Sequence, residues 1–280
     1  MTRVADESGE PAAGGISSVN DAALETGLTR DAFLDGRVML LQPKRGYRAG
    51  IDAVFLAAAA QPQQARARLS ILDAGAGVGT VGLLAAKRLE TIVDVQVTMV
   101  ERSPELAALA QKNAADNDLA ARARVVCADL LGPPAELAAA GVADESFDLV
   151  LANPPYHVDA CGTVSGNDIK AGAHAMSEGD LDRWARVMAR LVRPDGEVIV
   201  VHRADVLADL LQALAPRFGA LRILPLHPRE GEPASRVLVK GVKGSRAPLT
   251  LLPGRPLHQG GNAFHPMVDQ ILREGAGLWL

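Results

Sequence analysis

"LDAGAGVGT", residues 72–80, is the stretch on which the fold turns. The apolar run "LSILDA" (69–74) reads as a buried strand and "TVGLLAAKRL" (80–89) as a helix, with Gly75, Gly77 and Gly79 at the junction. Glycine reaches backbone conformations that other residues avoid. Such a run therefore allows a tight turn and brings backbone close to a ligand at a helix N-terminus. Its plainer use is to let a helix pack tightly on a strand. Either way, a strand that hands over directly to a helix opens an α/β unit.

The alternation continues outward from this turn. "VQVTMVE" (95–101) is a strand and "SPELAALAQKNAADN" (103–117) a helix, with Ser103 as N-cap and Pro104 at its first position. "ARVVCAD" (123–129) and "SFDLVLAN" (146–153) are further strands, and "EGDLDRWARVMARLV" (178–192) is a helix stopped by "RPDGE". "EVIVVH" (197–202) is a strand, 203–216 a helix, and "LRILPLH" (221–227) with "SRVLVKGV" (235–242) an antiparallel pair. Upstream, "AFLDGRVMLLQP" (32–43) forms a hairpin around Asp35-Gly36 and "GIDAVFLAAAA" (50–60) a helix. The expected architecture is a Rossmann-like α/β fold, a mainly parallel sheet with helices on both faces. Residues 1–28 are expected to be a disordered tail and 29–280 a single domain, in which 29–62 is an N-terminal hairpin and helix.

The spacing of the glycines narrows the ligand. A dinucleotide fingerprint is G-x-G-x-x-G, whereas this chain has G-x-G-x-G preceded by Asp73. A carboxylate there repels phosphate but can accept from an ammonium group. Glu101 ends the next strand, where a ribose diol lies in such folds, and Asp129 ends the third, where it can accept from an adenine amino group. Singly, these are a surface glutamate and a helix-capping aspartate. Together, at the ends of three successive strands, they describe a ligand with ammonium, ribose and adenine but no phosphate, which is S-adenosylmethionine.

"LANPPYH" (151–157) ends the fourth strand with two consecutive prolines, neither able to donate to a sheet ladder. An exocyclic or side-chain amide nitrogen is a poor nucleophile until acceptors stabilise the positive charge that develops on it. Asn153 can supply its side-chain oxygen, Pro154 a backbone carbonyl held in direction by Pro155, and Tyr156 a face for stacking a planar group. The plain alternative is a Pro-Pro turn that merely stops a strand.

Composition excludes several classes. Of 280 residues, 48% are hydrophobic and 22% charged, ordinary values for a globular chain; aromatics, at 3%, leave the core to Ala, Leu and Val. The 29 basic and 33 acidic residues give net −4, so a protein that coats nucleic acid is not indicated, although a local basic patch is compatible. Cys127 and Cys161 have no C-x-x-C spacing, and the six histidines form no zinc-ligand pair on one helix, so neither disulfide nor metal is expected. "MTRVADESGEPAAGGISS" has no targeting character and "VFLAAAA" (54–60) is too short to span a bilayer. A soluble, cytoplasmic, monomeric protein is expected.

These motifs resemble the class I S-adenosylmethionine-dependent methyltransferases, and "NPPY" resembles the signature of their amino-methyltransferase group. That resemblance implies seven strands in the order 3-2-1-4-5-7-6 with the seventh antiparallel, and catalysis by Asn153, Pro154, Pro155 and Tyr156. "LLQPKRGYRAGIDAVFLAAA" (40–59), "HPREGEPASRVLVKGVKGS" (227–245) and "PLHQGGNAFHPMVDQILREG" (256–275) look like bacterial tRNA adenine N6-methyltransferases acting beside an anticodon. The likeness places Gln42, Arg48 and Asp52 near the methionine end of the cofactor; an Arg48–Asp52 ion pair at i,i+4 is the alternative. "HVDACGTVSGNDIKAGAHAMSEGD" (157–180) is read as a substrate lid, with His174 part of its structure. An RNA substrate needs positive charge. Lys44 and Arg45 beside Arg48, and Arg236, Lys240, Lys243 and Arg246 within an acid-free run, are the candidates, Lys240 and Lys243 foremost. A protein glutamine methyltransferase or a guanine N2 rRNA methyltransferase would share the catalytic residues. An NAD-dependent oxidoreductase or a non-catalytic RNA-binding module would leave the Asn-Pro-Pro-Tyr run unexplained.

Overall fold

A computed structural model describes residues 27–45, 48–61, 67–155, 179–261 and 263–280. The tail expected at 1–28 lies almost entirely outside the described residues, as do Tyr156, His174 and nearly all of the expected lid. The chain opens with the hairpin β1 (Leu28–Phe33) and β2 (Val38–Pro43), followed by α1 (Ile51–Ala59). Then come β3 (Arg68–Ala74), α2 (Thr80–Leu89), β4 (Asp94–Glu101), α3 (Pro104–Asp116), β5 (Ala123–Cys127), α4 (Pro134–Ala139) and β6 (Phe147–Ala152). The second half holds α5 (Asp180–Leu191), β7 (Val192–Arg203), α6 (Leu207–Leu214), β8 (Phe218–Arg229) and β9 (Arg236–Lys243). It ends with β10 (Thr250–Leu251), β11 (Arg255–His258), α7 (Pro266–Asp269) and a π-helical turn, Gln270–Glu274.

The main sheet has nine strands along the path β10-β8-β9-β7-β6-β3-β4-β5, with β11 also paired to β8. Neighbours run parallel except β9, which is antiparallel to both β7 and β8. Counted from β3, the seven strands of the central path lie third-second-first-fourth-fifth-seventh-sixth. β10 and β11, parallel to the outer edge of β8, extend this order. The central strands are apolar on both faces because both are covered. On one face Ile71, Leu149, Leu151 and Val201 pack with Phe55, Leu83 and Leu84 of α1 and α2. On the other, Leu72, Val150 and Val198 pack with Trp184, Met188 and Leu210 of α5 and α6. No helix among the described residues is long and apolar enough to cross a membrane.

The N-terminal hairpin is fastened to this body by Asn113 of α3 and by Asn117, its C-cap. Asn113 is fully buried; its Nδ2 donates to the carbonyl of Leu41 (3.1 Å), and its Oδ1 accepts from the Leu41 N–H (2.8 Å). Asn117 treats Met39 the same way, at 2.7 Å in both directions. The geometry matches because two residues of strand rise about 6.8 Å and four residues of helix about 6 Å. An amide side chain carries one donor edge and one acceptor edge, so each asparagine imitates a neighbouring strand along the edge of β2 that β1 leaves open. Asn113 Nδ2 also donates to the Val78 carbonyl at 3.0 Å, which ties hairpin, helix and glycine turn together.

Candidate active site

Three adjacent strands deliver the site. Ala74 of β3 is level with Val100 of β4 and with Ala152 of β6. The next residue on each strand is therefore Gly75, Glu101 and Asn153, in one row along the carboxyl edge of the sheet. This edge is where open α/β sheets bind their ligands.

All three glycines of the turn have positive φ: Gly75 at 73°, Gly77 at 57° and Gly79 at 88°. The turn consumes its own amides. Gly75 and Ala76 N–H both donate to the Val100 carbonyl (3.0 and 2.9 Å), Gly79 N–H to the Ala76 carbonyl (2.8 Å), and Gly77 N–H to Glu101 Oε2 (2.9 Å). An anion cradle needs those N–H groups pointing at the ligand. Here one of them already holds a carboxylate, so the turn is ill suited to a pyrophosphate. Two glycines also serve packing: a Cβ at Gly75 would sit 2.9 Å from the Trp184 ring, and one at Gly79 would sit 3.0 Å from Met99 Sδ.

The acids divide by role. Glu101, 8% exposed, accepts from Gly77 N–H through one oxygen and from Ser103 N–H (2.8 Å) through the other, which fixes the carboxylate rigidly at the strand end. Asp73 is only 2% exposed and caps the first turn of α2, its Oδ2 accepting from Gly82 N–H at 2.8 Å. Burial, with help from the charge of Glu101, raises its pKa to about 7 despite that hydrogen bond. Asp73, expected to accept from an ammonium group, is therefore buried, with one of its oxygens engaged by the Gly82 N–H. Asp129 stands two residues beyond β5, exposed, its Oδ1 turned back to Leu131 N–H at 2.9 Å.

S-adenosylmethionine fits this set: fixed carboxylate oxygen at the end of β4, an exposed carboxylate past β5, and a turn with its amides already paired. Among the described residues no group of three or more His, Cys, Asp or Glu is arranged to hold a metal. Asn153, half-buried, follows β6 directly; Pro154 is buried and Pro155 exposed. Tyr156 is beyond the described residues, so the stacking face expected of it has no geometry here.

Around the N-terminus of α1 the polar residues pair differently from expectation. Arg48 Nη2 donates to Asp31 Oδ2 (2.8 Å), not to Asp52, because Arg48 precedes the helix and the i,i+4 geometry does not arise. Asp52 instead receives Arg236 Nε from β9 at 2.9 Å. The same Asp31 oxygen accepts from Gln42 Nε2 (2.9 Å) and Thr29 Oγ1 (3.0 Å), while Gln42 Oε1 accepts from Ala49 N–H (2.8 Å). Gln42, Arg48 and Asp52 therefore do gather around one helix start, organised by Asp31, which the sequence reading missed.

The expected basic surface at Lys240 and Lys243 is overturned. Lys240 points into the structure, its side chain 7% exposed, and pairs with Glu197 of β7 at 3.1 Å. Burial holds its pKa below the usual lysine value, and Glu197 works against that shift. Lys243 is engaged by Glu145 (2.9 Å) and by the Val192 carbonyl (2.8 Å). The acid-free run hid this because the acids it meets come from other segments. Lys44, Arg45 and Arg246 are exposed, the first two just past β2.

Asn113 did leave a signal, a poor helix former inside α3, whereas Asn117 at the C-cap is ordinary by position. Trp184 left none beyond its place on the apolar stripe of α5.

Comparison with known proteins agrees with this geometry. A chain of Actinobacillus succinogenes named tRNA1(Val) (adenine(37)-N6)-methyltransferase is 30% identical over 196 residues, covering 70% of this chain and 77% of that one. A protein of the same name from Enterobacter sp. is 34% identical over 139 residues, and there the match spans 52% of the relative. A crystal structure of a predicted O-methyltransferase from Agrobacterium tumefaciens superposes with a TM-score of 0.68 at 33% identity, over 82% of this chain and 99% of that one. The family model described as "Methyltransferase small domain" matches residues 53–224, the span that carries α1, the glycine turn, Glu101 and Asn-Pro-Pro, and the chain belongs to that family.

Proposed function

We propose that the protein transfers the methyl group of S-adenosylmethionine to the exocyclic N6 of an adenine in a tRNA. The observation that carries this reading is the row Gly75–Glu101–Asn153, which sets the Asn-Pro-Pro segment beside the glycine turn on adjacent strands. The names of the relatives supply the substrate class.

The cofactor, when bound, supplies an electrophilic methyl group on a sulfonium. The chain supplies orientation. Glu101, immobilised by two backbone amides, accepts from the ribose hydroxyls, and Asp129 accepts from the adenine amine. Arg48, Asp52 and Gln42 border the methionine end. Asn153 Oδ1 and the Pro154 carbonyl accept from the N–H groups of the target amine, holding its lone pair toward the methyl donor and stabilising the charge that grows as the nitrogen becomes tetrahedral. Tyr156 stacks the extruded base. The product ammonium is acidic enough to lose its proton to water, so no general base is required.

The Agrobacterium tumefaciens structure is described as a predicted O-methyltransferase, and a glutamine side chain is also an amide nitrogen, so the identity of the methylated unit is the decisive measurement. The protein is incubated with methyl-labelled cofactor and total tRNA or release factor, and the products are digested. Label in N6-methyladenosine supports the reading; label in methylglutamine or in a methyl ether overturns it. Asn153→Ala should lower kcat on the order of 100- to 1,000-fold, the cost of removing one acceptor where charge develops, with cofactor affinity retained.

A further inference from the structure

Three arginines stand in one row across the far half of the sheet. Arg203, which closes β7, is in register with Arg236, which opens β9. Arg236 is in register with Leu226 of β8, and Leu226 with Arg255, which opens β11. Residues in register share a sheet face, and strands about 4.8 Å apart spread this row over roughly 14 Å. Like charges directly opposite each other on paired strands are destabilising. The fold keeps Arg203 opposite Arg236 all the same and offsets the repulsion locally. Asp205 takes the Arg203 guanidinium through both its oxygens, and Asp52 takes Arg236 at 2.9 Å. Arg255 is exposed at the outer edge. Burial lowers the pKa of His202 beside them; a backbone hydrogen bond at Arg203 and the charge of Asp205 oppose this, while the charges of Arg203 and Arg236 act with it.

Register also sets this row relative to the reaction centre. Ala152 is level with Val200, so Arg203 lies three residues further along the strand beside Asn153. The carboxyl edge is therefore divided, with Glu101 closing β4 and Asp129 past β5, the guanidiniums of Arg203, Arg236 and Arg255 at the ends of β7, β9 and β11, and Asn153 between them. In a chain of net charge −4 these three guanidiniums are gathered on one side of the edge, two of them held by Asp205 and Asp52.

We propose that the Arg203–Arg236–Arg255 row is the track for the phosphate backbone of the RNA, laid across β7, β9, β8 and β11 so that the target base reaches Asn153. This rests on the proposed nucleic-acid substrate and takes the place of Lys240 and Lys243. Guanidinium forks match phosphate geometry, and carboxylates that hold them in fixed directions prepare the row before RNA arrives. Such contacts position the strand without reading its sequence.

Binding of total tRNA is measured over a salt series for the unaltered full chain, Arg255→Ala, Arg255→Lys, the double variant Arg203→Ala/Arg255→Ala, and Arg68→Ala. Arg68 is an exposed control that opens β3 at the opposite, amino edge of the sheet. Each lost phosphate contact should lower the slope of log affinity against log salt by about 0.7–0.9 and weaken binding about 5-fold near 0.1 M salt. The expected pattern is one such step for Arg255→Ala, two for the double variant, and none for Arg255→Lys or Arg68→Ala, with S-adenosylmethionine affinity unchanged throughout. If the double variant keeps the original slope, or Arg68→Ala loses as much, the row is not the track. If the unaltered protein does not bind tRNA at all, the nucleic-acid substrate itself is refuted, and the row with it.

Discussion

Replacing Asp73 by asparagine should stabilise the protein in neutral and alkaline buffer and do almost nothing near pH 4. Burial raises the Asp73 carboxyl from 3.8 to about 7, against the Gly82 hydrogen bond and with help from Glu101. Because the folded-state value lies above the unfolded one, the folded chain holds the extra proton between roughly pH 4 and pH 7. Stability falls as pH rises through that window, and the penalty is complete above it. At about 1.36 kcal/mol per pKa unit the full penalty is on the order of 4 kcal/mol. Between pH 5 and pH 8 it grows by about 2.5 kcal/mol. Asparagine has the same shape, keeps an oxygen for Gly82 N–H, and brings a neutral amide near Glu101, so it escapes this term. Urea unfolding of both proteins at pH 5, 6, 7 and 8, without cofactor, measures the difference between them, in which the titration of every other group cancels. The gap should widen by about 2.5 kcal/mol across the series. Parallel profiles would refute the reasoning: Asp73 would then ionise like an ordinary carboxyl, and something must compensate its buried charge.

Three further outcomes follow from the same geometry. Glu101→Ala should weaken S-adenosylmethionine binding by about 1.5–3 kcal/mol, the value of hydrogen bonds to a charged group, as read by calorimetry; unchanged affinity would leave Glu101 only its part in the turn. Asn113→Ala removes three buried hydrogen bonds and leaves the Leu41 N–H without its acceptor, so chemical denaturation should show a loss of about 3 kcal/mol; the half-buried Asn117 should cost less when treated the same way. Lys240→Met strands Glu197 in a nearly closed site and should destabilise by about 3–5 kcal/mol. The double change Lys240→Met/Glu197→Leu should recover most of that loss, because two apolar side chains replace a buried ion pair at little cost. A double variant no better than the single one would mean that the pair organises the sheet locally.

The sequence alone determined what local physics determines. Alternation and helical periodicity located the strands and helices of the central unit, since β3, α2, β4, α3 and β6 bury long apolar faces and carry strong end signals such as Ser103-Pro104. The glycines can take up the positive φ that other residues avoid, and the two prolines fix their own φ and lack the N–H a ladder needs, so the turn after β3 and the stop after β6 were legible without any partner. The short α4, β10, β11 and α7 were not, because two to six residues carry too little periodicity and are held by neighbours distant in the chain. Side-chain partnership was decided only by the tertiary structure. Asp73 is buried because α2 begins over the end of β3 and brings its Gly82 N–H to the carboxylate, and Lys240 meets Glu197 because β9 inserts antiparallel beside β7. Asp31 rather than Asp52 receives Arg48, because the hairpin folds back onto the start of α1. An ion pair or a buried carboxyl depends on the few ångströms between residues far apart in the chain, and that separation exists only once the sheet order brings the strands together.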